Sequence, residues 1–315
     1  MKVVSAIGNR FVYYVFAYPV SLMPLWSHRG LAALIYFVLY RIIGYRRSVV
    51  RQNLRNSFPQ WTSEQLSTNE NRFYRFLSKL FIESIKNISI SKEKLLERVR
   101  VVNPEVLEQL YDQGKSVLLA GGHYHNWEYV ITAQNLIFSH QAVGIGSKMS
   151  SSFWNEKMTE KRERYGMRVI HKDNLHEKLT DWKDENIAIL ALFDQSPPHA
   201  DRAYWTTFLS QPTGFLFGTE KLAYTYDFAV VQYQMREIRS GFYEIELELV
   251  TDTPRTEEYG VITEKLINNL EQQILRVPQF WLWSHKRWKL RVPEDFEALR
   301  NRQKSKYLQW RETQR

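Results

Sequence analysis

Cysteine is absent from the 315 residues, which excludes disulfides and thiolate-held metals and agrees with a reducing compartment. Glycine and proline number only 13 and 10 and are scattered, so no stretch has linker composition. No low-complexity run or internal repeat appears either, and one large α/β domain accounts for the body of the chain. Acidic residues are short: 34 stand against 43 basic ones, a formal charge of +9. That balance calls for an anionic partner, whether a lipid surface, an acidic protein or nucleic acid. A Gly-x-Ser-x-Gly nucleophile elbow is missing too, which removes the usual route to an acyl-serine intermediate.

Long apolar runs are also lacking. Phe11 to Trp26 and Leu31 to Ile43 are almost wholly apolar and strongly aromatic, yet neither reaches the roughly 20 residues that span a bilayer. Pro19, Pro24 and the Ser27-His28-Arg29-Gly30 break argue against one straight helix through both. No small-residue cleavage site follows, so a signal peptide is not expected. A single tilted span, a bent hairpin in one leaflet and buried helices of a soluble protein all remain open. The cluster Arg41, Arg46, Arg47, Arg51 and Arg55 favours a membrane reading, with residues 1–45 as an anchor and the arginines on the cytoplasmic side.

What is present is most informative at Gly121-Gly122-His123-Tyr124-His125-Asn126-Trp127-Glu128. The apolar run Val117-Leu118-Leu119-Ala120 before it reads as a buried strand, and open α/β sheets place their chemistry at carboxyl ends of strands. His123 with the carboxylate of Glu128 is a kit for deprotonating a hydroxyl. On a regular helix the pair would lie about 140° apart around the axis. They meet only if the segment is a strand–loop–helix junction, which the two glycines permit. His123 and His125 form His-x-His, but no further ligands stand at metal-binding spacing, and no metal site is expected.

Thr62 and Gln65 form a capping box ahead of an apolar stripe from Phe73 to Ile88. Val101-Val102, Ser116 to Ala120, Ala142 to Ile145 and Ile187 to Phe193 read as strands. Pro104 to Asp112, Asn155 to Arg164, Thr219 to Tyr226 and Thr256 to Leu275 read as helices. Ala229 to Met235 and Phe242 to Val250 pair around Ser240-Gly241, with Ile245, Leu247 and Leu249 alternating with glutamates, so one face is wet. Trp205 to Phe217 is read mainly as core, with residues able to line an acyl pocket. Strands alternating with helices, then a hairpin, imply an α/β fold with a mixed sheet flanked by helices. Residues 46–295 form this domain, and 296–315 a charged, solvated helix or tail.

Four segments occur in order: Arg51-Gln52-Asn53-Leu54-Arg55-Asn56-Ser57-Phe58-Pro59, the Gly121–Glu128 segment, Phe193-Asp194-Gln195-Ser196-Pro197, and Pro278 to Lys289 with its Trp281-Leu282-Trp283-Ser284-His285-Lys286-Arg287-Trp288-Lys289 core. In this combination the chain resembles the late, or secondary, lipid A biosynthesis acyltransferases of bacteria, in the Bacteroidetes form, to about Pro293. The resemblance implies a glycerolipid acyltransferase-like fold and an inner-membrane enzyme with its catalytic domain facing the cytoplasm. Such an enzyme moves a fatty acyl group from acyl carrier protein, or coenzyme A, to a hydroxyl of a lipid A precursor without a further cofactor. It places His123 as general base and Glu128 as the carboxylate orienting it. Lys148 stands where the family has a basic residue in Tyr-(Arg/Lys)-Pro, though the proline is missing and Ser147 is an alternative match. Asp194 and Gln195 fall on the family's acidic loop, ordering the site or binding acceptor. His285 and Arg287 are candidates for acceptor phosphates. The Phe-Pro-Glu-Gly-Thr block of glycerolipid acyltransferases is absent.

Two rivals remain at this level. The same chemistry on a lysophospholipid or an amino-acid-containing lysolipid differs only in pocket shape. A basic, non-enzymatic protein bound to anionic lipid or nucleic acid through its arginines would explain the charge, but the aromatic residues cluster with aliphatic ones and not along a polar groove, so no nucleic acid is expected.

Overall fold

The computed structural model describes residues 8–24, 26–146 and 149–313. Seven strands form one mixed sheet in the order β1-β9-β8-β2-β5-β3-β4. They are β1 (Val99–Val101), β2 (Val117–Gly121), β3 (Gln141–Gly146), β4 (Arg168–His171), β5 (Ile187–Leu192), β8 (Ala229–Arg239) and β9 (Phe242–Thr251). β6 (Tyr204–Phe208) and β7 (Gln211–Phe215) form a separate antiparallel hairpin. β2 pairs in parallel with β5 and β8, while β8 and β9 are antiparallel. Central parallel strands are covered on both faces, and all five residues of β2 are accordingly buried.

The covering helices follow the apolar pattern. Thr62 caps the Ser63–Lys86 helix in the expected box, its hydroxyl accepting from Gln65 N and its own N–H donating to Gln65 Oε1. The helices Glu105–Asp112, Trp127–Ile137, Ser152–Glu163, Gly218–Tyr226 and Val261–Arg276 complete the layers. On β9 the expected alternation buries Ile245 and Leu247 but leaves Leu249 41% exposed. β1 pairs with β9 only as far as Ile245, so beyond that point β9 is itself the sheet edge.

The N-terminal apolar residues are organised as short pieces. Val12–Ala17 is π-helical and runs into Tyr18–Leu22; after a break, His28–Tyr36 runs into the π-helical Phe37–Ile42. Among the described residues no helix is long and apolar enough to cross a membrane, so the single tilted span is not found. The break falls at Pro24 and Ser27, whereas Pro19 lies within the Tyr18–Leu22 helix and His28, Arg29 and Gly30 lie within His28–Tyr36. Tyr18–Leu22, His28–Tyr36 and Phe37–Ile42 rest on the Ser63–Lys86 helix, and Tyr13 of the first piece packs on Phe153 and Trp154. Phe11, Phe16, Trp26, Phe37, Ile42 and Ile43 nevertheless stay exposed.

Of the two readings of the C-terminal segment, the helix holds and the free tail does not. Phe296–Glu312 is a helix seated on the domain, with Tyr307 buried against Phe217 and Tyr259. Gln303 donates to the carbonyls of Asp201 and Ala203, and Arg311 to those of Glu257 and Arg255. Its mixed composition hid an aromatic stripe.

Candidate active site

In the parallel pairing of β2 with β5, Gly121 stands opposite Leu192. Two residues past each lie His123 and Asp194, at the carboxyl ends of adjacent central strands. The register alone sets them side by side. His123 Nδ1 lies 2.6 Å from Asp194 Oδ1, and the His123 backbone N–H donates to Oδ2 at 2.8 Å. Trp281 Nε1 donates to the same Oδ2 at 2.8 Å. Burial opposes the Asp194 charge, but the nearby His123 charge and these three donors hold the carboxyl down at about 2. An ionised Asp194 accepts from Nδ1–H, which leaves Nε2 as the basic nitrogen. That atom is 3.0 Å from Gln195 Nε2, which donates to it.

The orienting partner of His123 is therefore Asp194, and the expected Glu128–imidazole hydrogen bond is not formed. Glu128 opens the Trp127–Ile137 helix with its carboxylate turned to Lys161 Nζ (2.5 Å) and Arg162 Nη2 (3.6 Å). Burial works against its charge, but Lys161 and Arg162, with a smaller contribution from His123, keep the carboxyl below its usual value. Five residues of strand-to-helix junction bring Glu128 near the imidazole without turning it onto the ring.

The double glycine is demanded by crowding. A Cβ on Gly121 would sit 2.1 Å from Tyr233 Cε1, and one on Gly122 would lie 2.7 Å from Leu270 and 3.2 Å from Asp194 Oδ2. Neither needs a left-handed backbone; the residue that adopts one is His125, at φ 52°. Its ring stacks on Phe280 at 4.0 Å, its N–H donates to Phe280 O, and its buried Nδ1 has no partner. Burial first, and then Lys79, push it down to about 3, so it is a neutral group packed among Phe76, Tyr124, Tyr243 and Phe280.

The other motif segments converge on this loop. Asn53 donates to the carbonyls of Trp283 and His285, and Arg46 to that of Ser284. His285 Nε2 accepts from Ser196 N–H at 3.2 Å, and burial, then Arg287, lower it to about 4. Arg287 is fully buried, donates to Gly214 O at 2.7 Å and lies over the Phe215 ring. Lys148 and its alternative Ser147 lie outside the described residues.

A cavity of about 600 Å³ opens beside His123 and Gln195. Ile131, Met158, Met167, Leu190, Leu192 and Leu222 give it apolar walls, and Arg162 brings a cation to it. Arg162 Nε is buried without a partner. Sequence reading missed Arg162, which carries no signature except its place four residues before Gly166. Gly144 keeps the cavity open; a Cβ there would lie 3.1 Å from Met167 Sδ. The arrangement supplies an oriented base, a positive group and an apolar slot, the parts needed to pass a fatty acyl group to a hydroxyl.

Comparison with known proteins agrees with this chemistry. Residues 3–290 match the family model described as bacterial lipid A biosynthesis acyltransferase. No curated protein matches the chain.

Proposed function

From the premise that the chain belongs to the bacterial lipid A biosynthesis acyltransferases, and so is an acyltransferase with a lipid A-type acceptor and an acyl donor, we propose that His123 is the general base of the transfer. The observation that carries this is the imidazole fixed at Nδ1 by Asp194, with Nε2 beside a cavity walled by methionine and leucine. The acceptor hydroxyl displaces the Gln195 amide and gives its proton to Nε2 as its oxygen attacks the thioester carbonyl. Asp194 stays ionised and stabilises the imidazolium. Arg162 faces the oxyanion, and Glu128 holds Arg162 and Lys161 in place. Collapse expels the thiolate, which takes the proton from His123, leaving ester and free thiol. No cofactor beyond the donor is required.

The donor in this reading is acyl carrier protein, whose acidity suits a basic enzyme, with acyl coenzyme A as the alternative. The fatty chain lies along Met158, Met167 and Leu222. Acceptor binding falls to the loop of Asp194 and Gln195 and to the segment of His285 and Arg287, with Lys148 as a further cation. The family match speaks for a lipid A-type acceptor over a lysophospholipid or an amino-acid-containing lysolipid.

The enzyme works at the cytoplasmic face of the inner membrane, with exposed Phe11, Phe16 and Trp26 entering one leaflet. Of the arginine cluster, Arg47 and Arg51 are tied to Glu70 at 2.9 and 2.5 Å. Arg46 donates to the Ser284 carbonyl, which leaves Arg41 and Arg55 for anionic headgroups. Replacing Phe11, Phe16 and Trp26 by serine should release the protein from phospholipid vesicles in flotation; unchanged binding would refute this placement. The chemistry is tested with purified acyl-carrier-protein thioester and lipid A precursor: His123→Ala should lose acyl transfer at least a thousandfold, and wild-type turnover in a folded His123→Ala protein would end the reading.

A further inference from the structure

A second cavity, of about 540 Å³, lies outside the reaction chamber, between the Arg47–Ser57 helix, the β6–β7 hairpin and the 286–292 segment. Its lining holds three cations, Lys286, Arg287 and Lys289, and no carboxylate. Among the described residues none of the three has an ion-pair partner. Arg287 is 2% exposed and its Nε has no hydrogen-bond partner. A buried cation without a paired counter-charge is costly to keep, and burial accordingly lowers Arg287 to about 9, opposed by the Asp194 charge. That charge is already met by three donors of its own.

The polar part of the remaining lining suits a sugar, beside apolar Val49, Pro212, Leu290 and Val292. Gln52 and Asn56 stand four residues apart on the exposed face of one helix, and Gln211 faces them from the hairpin. Trp288 is held at the wall by the hydrogen bond of its Nε1 to Thr213 Oγ1 at 2.7 Å. Carboxamides beside an indole face are groups that hydrogen-bond and stack on a pyranose, and clustered cations match a phosphate. The helix carrying Gln52 and Asn56 begins five residues after exposed Ile42.

We propose that this cavity seats the phosphorylated sugar headgroup of the lipid acceptor, its phosphate on Lys286, Arg287 and Lys289 and its ring against Trp288, Gln52 and Asn56. The assignment rests on the acyltransferase reading for its acceptor but names a binding site apart from the reacting groups. Lys286 and Lys289 are exposed, so their replacement leaves the fold intact, unlike that of Arg287.

The test uses the full chain and phosphatidylcholine vesicles carrying either a phosphorylated or a dephosphorylated diacyl glucosamine lipid. Wild type and His123→Ala should both prefer the phosphorylated vesicles at least tenfold. Lys286→Ala/Lys289→Ala should lose the preference, and Lys286→Arg/Lys289→Arg should keep it. An alanine pair that retains the full preference overturns the proposal. Complete release of vesicles by millimolar inorganic phosphate overturns the headgroup assignment in favour of a free-phosphate site. Because binding is read without turnover, an active His123→Ala enzyme would refute the general base while leaving this result standing.

Discussion

Which carboxylate serves His123 is decided by comparing Asp194→Asn with Glu128→Gln. Asp194 sits at about 2 where 3.8 is usual, and at about 1.4 kcal/mol per pKa unit this favours the charged pair by roughly 2–3 kcal/mol. Loss of that term from a transition state carrying an imidazolium slows turnover about 30- to 100-fold. Asparagine does more. Its oxygen can keep the bonds from His123 N–H and Trp281, but its amide then points an N–H at Nδ1. The imidazole is driven to the tautomer with hydrogen on Nε2, where it cannot accept the hydroxyl proton, and the total loss in kcat should be about 10³- to 10⁴-fold. Glu128→Gln instead leaves Lys161, only 4% exposed at its side chain, without its partner. Its main effect should be on stability, about 3–5 kcal/mol, largely recovered in Glu128→Gln/Lys161→Met. The assay is kcat for acyl transfer beside thermal melting of each variant. If folded Glu128→Gln loses more kcat than folded Asp194→Asn, the assignment of Asp194 as the orienting group is refuted.

Gly121→Ala places a methyl group 2.1 Å from the Tyr233 ring and should lower stability by about 1–3 kcal/mol or more, with part restored by Tyr233→Leu; an unchanged Tm would show that the crowding is not real. His125 protonates at about 3 in the fold against 6.5 when unfolded. The unfolded chain therefore binds more protons between these values, and stability falls as pH drops through that window, by about 2 kcal/mol at pH 5. His125→Asn, which tolerates the left-handed backbone, should flatten melting curves measured from pH 7 to 5, and identical slopes would contradict the buried neutral ring.

Much of the fold was legible because its signals are local. The glycine pair after an apolar strand located the site, Thr62 and Gln65 fixed a helix start, and Ser240-Gly241 marked the β8–β9 turn. The β6–β7 hairpin was not, because its turn residues Leu209 and Ser210 adopt φ of 49° and 62° without the Asn-Gly or Asp-Gly that such turns favour. The Asp194–His123 pair was hidden for another reason. Only strand order and register bring the two together, whereas sequence proximity pointed to Glu128. Asn53 likewise shows its purpose only when the Trp283 and His285 carbonyls arrive from the far end of the chain.

In the proposed mechanism the β2–β5 register also ties competence to assembly of the sheet. Seventy-one residues separate the imidazole from its aspartate, and Trp281 joins them from a still later segment. On the proposed mechanism, a chain whose sheet has not closed leaves the imidazole without its aspartate. On that mechanism, acyl transfer itself becomes a reporter of sheet closure.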